Sequence, residues 1–298
     1  MKIRHLFFSA AIASVVIALV FSACRRKDNS DKDTTSAQDN TLADKSFEDI
    51  GQISNESAKG SVSSYKTIDD GGILSGSCAT VTIVRNPDSS GTITVDFGPA
   101  ACLCKDNHWR QGKLFISYTK GYHNRGYWDS LCSITISTAP DNSYFVGSDQ
   151  ATMHQLIGTK TITNEGHNSS HHMNWNVAAN GEIIKANGQG TIQWQSQRNR
   201  EWIQGENTPL IWSDDVYGIT GNASGTSANN TPYAVNITSQ LIRKMDPSCI
   251  RWFTAGTLDF TPGSKAVRHV DYSPPQNGQC DNIATVTINS ITYTVYMK

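Results

Sequence analysis

From residue 73 onward, apolar and polar residues alternate with a period of two. Thr80-Val81-Thr82-Ile83-Val84 and Thr92-Ile93-Thr94-Val95-Asp96-Phe97 alternate in this way. Thr191-Ile192-Gln193-Trp194-Gln195, Tyr233-Ala234-Val235-Asn236-Ile237-Thr238 and Ile291-Thr292-Tyr293-Thr294-Val295-Tyr296 repeat it. This pattern predicts strands with one dry and one wet face. Turn residues punctuate the strands at Asn86-Pro87-Asp88-Ser89-Ser90-Gly91, Asn180-Gly181, Asn187-Gly188 and Thr261-Pro262-Gly263. The intervening loops are too short for parallel crossovers, so neighbouring strands pair antiparallel. Roughly a dozen or more strands over about 225 residues form one all-β unit. A sandwich, a Greek-key barrel and a broad curved sheet all fit. The many Thr, Asn, Gln and Ser faces favour a large antiparallel sheet that folds over on itself. No amphipathic helical stretch of useful length stands out; residues 153–157 and 238–245 turn at most briefly.

The start of the chain obeys a different rule. Lys2 and Arg4 precede an apolar run over residues 6–21 that is too short and wrongly flanked for a stable transmembrane helix. Ser22 and Ala23, both small, stand directly before Cys24. The stretch resembles a bacterial lipoprotein signal peptide, with Phe21 where Leu is usual. The resemblance implies removal of residues 1–23, lipid on Cys24, and a protein anchored to a membrane of the bacterial cell envelope, outside the cytoplasm, at the outer membrane. Several acyl chains hold firmly, because each buried CH₂ contributes about 0.8 kcal/mol. No later segment has the ~18 apolar residues needed to span a bilayer.

Residues 24–72 are Ser, Asp, Asn, Lys and Thr with isolated apolar positions. That composition predicts a disordered polar tether, with an end-to-end distance of roughly 40 Å, ahead of an all-β domain over 73–298. Asp33-Thr34-Thr35 and Asp129-Ser130-Leu131 resemble the short O-glycosylation acceptor of Bacteroidota. Loss of residues 1–23 lowers the 25 basic residues to 23 against 26 acidic ones, a net charge of −3. This near-neutral balance argues against nucleic acid as a partner. Arg25, Arg26 and Lys27 lie beside the lipid. They either touch anionic headgroups, at about 1 kcal/mol each, or are the positive flank of the export signal.

The two ends of the β region repeat one order of features. Cys78, a hairpin, Val95-Asp96-Phe97-Gly98, Cys104-Lys105-Asp106-Asn107 and a strand at 114–119 occur first. Cys249, a hairpin, Val270-Asp271-Tyr272-Ser273, Cys280-Asp281-Asn282 and a strand at 285–289 occur last. The order implies two related lobes, or two matching edges of one sheet. The pattern resembles uncharacterised Bacteroidota lipoproteins in which a polar tether precedes a β-rich domain with Asp-Phe-Gly near a cysteine. That resemblance brings no activity with it.

Six cysteines remain once Cys24 carries lipid, and an even number outside the cytoplasm favours disulfides. The repeat points to Cys78–Cys104 and Cys249–Cys280, leaving Cys102–Cys132, with exchange of Cys102 and Cys104 as the open alternative. Cys102-Leu103-Cys104 has one intervening residue, too few for a structural zinc site.

Candidate chemistry is sparse. His167, His171 and His172, with Glu165, offer imidazoles to a transition metal, but lie in what reads as a polar hairpin loop. Trp194 and Trp202 are symmetric about Arg198; in a tight hairpin both indoles would share a face. Exposed, they would form a glycan platform; buried, they would brace the sheet. Asp214-Asp215 and the Glu201/Glu206 pair are candidate glycosidase carboxylates or calcium ligands. Asp96 and Asp271 read more simply as turn residues. No Gly-x-Ser-x-Gly, His-Glu-x-x-His or phosphate loop is present. The sequence therefore predicts an envelope lipoprotein with a non-catalytic binding or structural role, and no cofactor or metal. Its expected partners are the membrane, through Cys24, and an envelope protein or glycan. The alternatives are a carbohydrate-binding module using Trp194 and Trp202, and a glycan-active hydrolase.

Overall fold

The computed structural model of the chain describes residues 34–59, 74, 78–119, 131–208, 211, 213–246, 249, 252–273, 278 and 280–296. The signal-peptide region, Cys24, residues 60–72, Asp129, Ser130, Trp128 and Trp212 lie outside the described residues.

Among the described residues one α-helix, α1 (Thr35–Lys59), precedes sixteen strands. The first seven are β1 (Thr80–Arg85), β2 (Gly91–Asp96), β3 (Cys102–Leu103), β4 (Trp109–Gln111), β5 (Lys113–Tyr118), β6 (Ser133–Ser137) and β7 (Phe145–Gly147). Five long strands follow in the middle of the sheet: β8 (His154–His167), β9 (Met173–Ile184), β10 (Thr191–Gln204), β11 (Val216–Thr226) and β12 (Pro232–Lys244). The last four are β13 (Ala255–Pro262), β14 (Arg268–Asp271), β15 (Ile283–Ile288) and β16 (Ile291–Tyr296).

All pair antiparallel in one sheet of order β1-β2-β5-β6-β8-β9-β10-β11-β12-β13-β14-β15-β16. The short strands β3, β4 and β7 form a side branch joined to β8. The sheet is not closed: β1 and β16 stand at opposite ends of the order. The protein is thus all-β around one helix, and the open curved sheet is the architecture adopted among those the alternation allowed.

The period of two holds through the centre. Ile93 and Val95, Leu114 and Ile116, Ile134 and Ile136, and Ile192 and Trp194 all face one buried layer. The residues between them face out. Helix α1 touches β2, β6, β8, β9, β10 and β13, so strands far apart in the sheet order meet the same helix. This makes the sheet a trough and the helix its filling.

Helix α1 corrects the expected tether. Within residues 24–72, the stretch 35–59 is helical and groups with the β strands as one unit. Its buried stripe runs Ser36, Asp39, Ala43, Ser46, Ile50, Ile53 and Ser57, at helical steps of three and four. Phe47 and Ser54 flank the stripe and are also buried. Polar and small residues hold more than half of these positions, which hides the helical period from a hydrophobicity reading.

Phe47 fixes the register between helix and sheet. Its ring stacks on Trp194 with centroids 5.1 Å apart. Gly181 pairs with Trp194 on one side and Gly158 on the other. A Cβ on Gly181 would lie 2.9 Å from Phe47 Cζ and 2.8 Å from Gly158 Cα. Asn180-Gly181 is therefore no turn; it lies inside β9, and the glycine lets the helix approach the sheet backbone. Residues 238–245 are likewise strand, within β12.

The repeat forms two matching ends of one sheet. Cys78–Cys102 brackets the β1–β2 hairpin, with Cα atoms 5.6 Å apart. Cys249–Cys280 brackets β13–β14, with Cα atoms 4.8 Å apart. Asp96 accepts the Gly98 N–H and Asp271 the Ser273 N–H, each at 2.8 Å. Both aspartates thus make the turn hydrogen bond that their sequence position suggests. The aromatic after each packs on a ring: Phe97 on Tyr144 at 5.9 Å, Tyr272 on Phe253 at 5.3 Å.

The expected Cys78–Cys104 and Cys102–Cys132 bridges are not formed. Cys104 opens the β3–β4 turn, donating its N–H to His108 O and accepting from the Asn107 N–H. That geometry turns its sulfur into the core, where it is 4 % exposed, while Cys102 meets Cys78. Cys132 is buried too, and belongs to neither bridge.

Truncating Phe47→Ala should destabilise the fold by about 3–5 kcal/mol. Gly181→Ala, which wedges a methyl between β9 and that ring, should cost about 1–3 kcal/mol. Urea unfolding followed by circular dichroism measures both. A near-neutral Phe47→Ala would mean that the helix does not hold the sheet together.

Candidate functional site

The inner wall of the trough carries cations and aromatic rings, and α1 brings carboxylates to the cations. Arg110, with no exposed side-chain area, donates to Asp49 at 2.5 Å and to Asp106 at 2.6 and 2.7 Å. Tyr144 OH donates to Asp49 at 3.0 Å. Lys160 Nζ donates to Glu48 and to the Phe47 carbonyl, both at 3.0 Å. Lys185 meets Asp39 at 3.0 Å and Arg198 meets Asp44 at 2.8 Å. In each of these helix–sheet pairs the acid is on the helix and the base on the sheet.

The ionisation states follow. The Lys160 charge beside Glu48 holds its carboxyl well below the ordinary range. Burial pushes Asp106 upward, but hydrogen bonds from Arg110 and His108 outweigh it and keep the acid ionised. Burial raises the Cys104 thiol, which keeps it protonated and unreactive.

His154 behaves oppositely to an exposed imidazole. Burial, with the nearby His108 charge, lowers it to about 4. Ser46 Oγ lies 2.8 Å from both the Leu42 carbonyl and His154 Nε2. The imidazole is therefore held neutral at pH 7.

Trp194 and Trp202 do not form a platform. Residues 191–204 are one continuous strand, β10, rather than a tight hairpin. Both indoles do share its inner face, and each is 3 % exposed. Trp194 Nε1–H donates to Asn40 of α1 and Trp202 Nε1–H to Asp215, each at 3.0 Å. Trp175, fully buried, joins Trp202 and Tyr217 in an aromatic cluster with centroids 6.1–6.4 Å apart. Burial thus turns these rings to bracing the sheet and removes the glycan face.

The histidines and glutamates that the sequence offered separately do come together. The β8–β9 turn and the segment after β10 enclose a cleft of about 280 Å³ lined by His167, His171, His172, Trp202 and Glu206, among others. His167 Nε2 lies 2.6 Å from Glu206 and His172 Nδ1 lies 2.8 Å from Glu201. Hydrogen bonds from Asn168, and then from Gln240 and His172, lower the Glu201 carboxyl. These contacts pin the turn to β10. Among the described residues no group of three or more His, Cys, Asp or Glu side chains is placed to hold a metal ion. Asp214 accepts from Thr208 at 2.6 Å, and Asp215 is buried on Trp202. The two acids thus serve separate local contacts.

Exposed apolar residues are scattered over the surface, at Leu103, Leu131, Ile184, Ile211 and Val267, and recur along the two end strands. Val81 and Val84 are exposed on β1; Ile291, Tyr293 and Tyr296 are exposed on β16, at 58, 42 and 67 %. Alternating strand periodicity in the sequence marked these strands, but nothing in it marked them as edges. No protein-family model, curated protein or solved structure matches this chain. Among the described residues no helix is long and apolar enough to cross a membrane.

The His154 environment fixes a pH dependence. The unfolded imidazole takes a proton below about pH 6.5, whereas the folded one resists until about 4. Its contribution to stability is complete above pH 6.5 and is lost as pH falls through that window. Urea midpoints of wild type and His154→Gln, measured from pH 7 to 4, should converge toward the acid end. Parallel curves would contradict the buried neutral imidazole.

Proposed function

We propose that this chain is a lipid-anchored protein of the bacterial cell envelope that binds another envelope protein through the free edge of its sheet, without catalysis. The observation that carries this reading is β16. The β15–β16 connection is a two-residue turn, Asn289-Ser290, with φ of 49° and 66°, the geometry of a tight hairpin. Ile291 closes that turn by donating back to Ile288. Alternation along the strand then directs the backbone N–H of Thr292 and Thr294 away from β15. An unpaired strand edge flanked by exposed Ile291, Tyr293 and Tyr296 is a template for strand addition.

Other features support the compartment. The amino-terminal stretch ending at Cys24 has the form of a lipoprotein signal, and the two disulfides suit an oxidising space. The polar outer face adds a hydrogen-bonded lattice, as in Thr135–Thr161 and Thr238–Thr257 at 3.3 and 2.7 Å. Such a face stays wetted while the edge docks.

A photo-crosslinker at position 293, activated in intact cells, should join the protein to a discrete partner. Thr294→Pro removes one outward N–H and no ladder hydrogen bond. It should abolish the crosslink while leaving the melting temperature unchanged. The same crosslinked product in wild type and Thr294→Pro would overturn binding through this edge.

A further inference from the structure

Two guanidinium groups on the trough wall are left without an acid. The guanidiniums of Arg200 on β10 and Arg243 on β12 make no hydrogen bond or ion pair with any described residue, and the Nε of each is buried and unpartnered. The other cations on this wall are neutralised, since Arg110, Lys160, Lys185 and Arg198 each hold a carboxylate of α1. Glu48, whose carboxyl feels both Arg200 and Arg243, is already bonded to Lys160. Two positive charges thus remain in excess in a partly buried place, an arrangement that is costly unless something compensates them.

The register brings the pair together. Tyr217 stands opposite Trp202 on one side and Arg243 on the other. Arg200 lies two residues before Trp202 on the same face of β10, with its Cζ 5.3 Å from the Tyr217 ring centroid and 5.1 Å from that of Trp175. The Arg243 Cζ sits 4.8 Å from the Phe253 ring centroid. The two side chains therefore flank Tyr217 from the strands on either side of β11, each with its guanidinium against an aromatic ring. Two planar forks without a hydrogen-bonded internal acceptor match an oxyanion, which takes paired N–H···O bonds.

We propose that Arg200 and Arg243 form an oxyanion-binding site that accepts a carboxylate or sulfate group, either free or carried by a saccharide. The acids facing the site are Glu48 of α1, bonded to Lys160, and Asp215 and Glu206 near the Tyr217 ring. Asp215 is bonded to Trp202 and Glu206 to His167, so their acceptor capacity is partly used elsewhere. The site is separate from the β16 edge and does not depend on edge binding.

The test is calorimetric titration of the purified protein with sodium sulfate, glucuronate and glucose, at an ionic strength held constant with chloride. Sulfate or glucuronate should bind and glucose should not. Binding of sulfate would identify a free oxyanion as sufficient; binding of glucuronate without sulfate would identify a carboxylated saccharide. Arg200→Lys and Arg243→Lys keep the charge and the stem but lose the planar fork, and each should weaken binding about tenfold or more. Arg85→Lys, at an exposed position on β1, should bind like wild type. Circular dichroism of each variant confirms its fold. Failure of both anions to bind beyond the chloride control, or full affinity in the Arg200→Lys/Arg243→Lys double variant, would overturn the site.

Discussion

The structure depends on one packing relation: a 25-residue helix laid along the inside of a sheet that never closes. A closed barrel satisfies its own edges and fills its interior with its own side chains. This sheet does neither. Its strands curl far enough that β2 and β13 touch the same helix, and the space they enclose is filled by α1. The helix, roughly 37 Å long by its residue count, has few apolar residues beyond Phe47, Ile50 and Ile53 to bury. Such a helix has little reason to form alone. The sheet, without it, would expose Trp194 and a row of cations. Each element completes the other, and the glycine window at Gly158 and Gly181 sets where they meet.

The two ends of the sheet solve a second problem in the same way. Each end has a hairpin bracketed by a disulfide, an aspartate that turns the chain, and an aromatic packed on a neighbouring ring. The inner strand of each hairpin, β2 and β13, reaches the helix, whereas the outermost strands of the sheet, β1 and β16, are exposed along nearly their whole length. Each covalent link closes a loop and so constrains the unfolded chain.

Part of this was legible in the sequence, and the two largest failures share a cause. Period-two alternation located β1, β2 and β16 to within a residue, and the starts of β10 and β12, although β1 and β16 are exposed on both faces. The cysteine–hairpin–aspartate repeat located the matching ends. The helix was invisible because its buried stripe contains Ser36, Asp39, Ser46 and Ser57, whose partners lie far along the chain on the sheet. The Trp194–Trp202 segment suggested a hairpin because its charged centre, Arg198 and Arg200, looks solvated; those side chains instead face inward to Asp44 and to aromatic rings. Cys102 and Cys104 could not be told apart, since the β3–β4 turn alone decides which sulfur faces the core. The helix and the Trp194–Trp202 segment were misread for one reason: polar residues directed inward, which local patterning assigns to solvent.

That inward polarity also explains why helix and sheet specify one another. A trough lined with apolar residues would accept any amphipathic helix. This trough buries Arg110 completely and Lys160 nearly so, and a buried cation without a carboxylate is strongly destabilising. Only a helix presenting Asp39, Asp44, Glu48 and Asp49 at these spacings neutralises Lys185, Arg198, Lys160 and Arg110 together. An apolar helix of the same shape would leave four charges stranded, and a shift of one turn would misplace them all. The ion pairs therefore act less as a source of stability than as a register device, choosing one helix in one position. The same matching makes the two arginines without helix partners informative. Where four of the six inward cations discussed here have a dedicated acid, Arg200 and Arg243 stand as the places the helix does not fill.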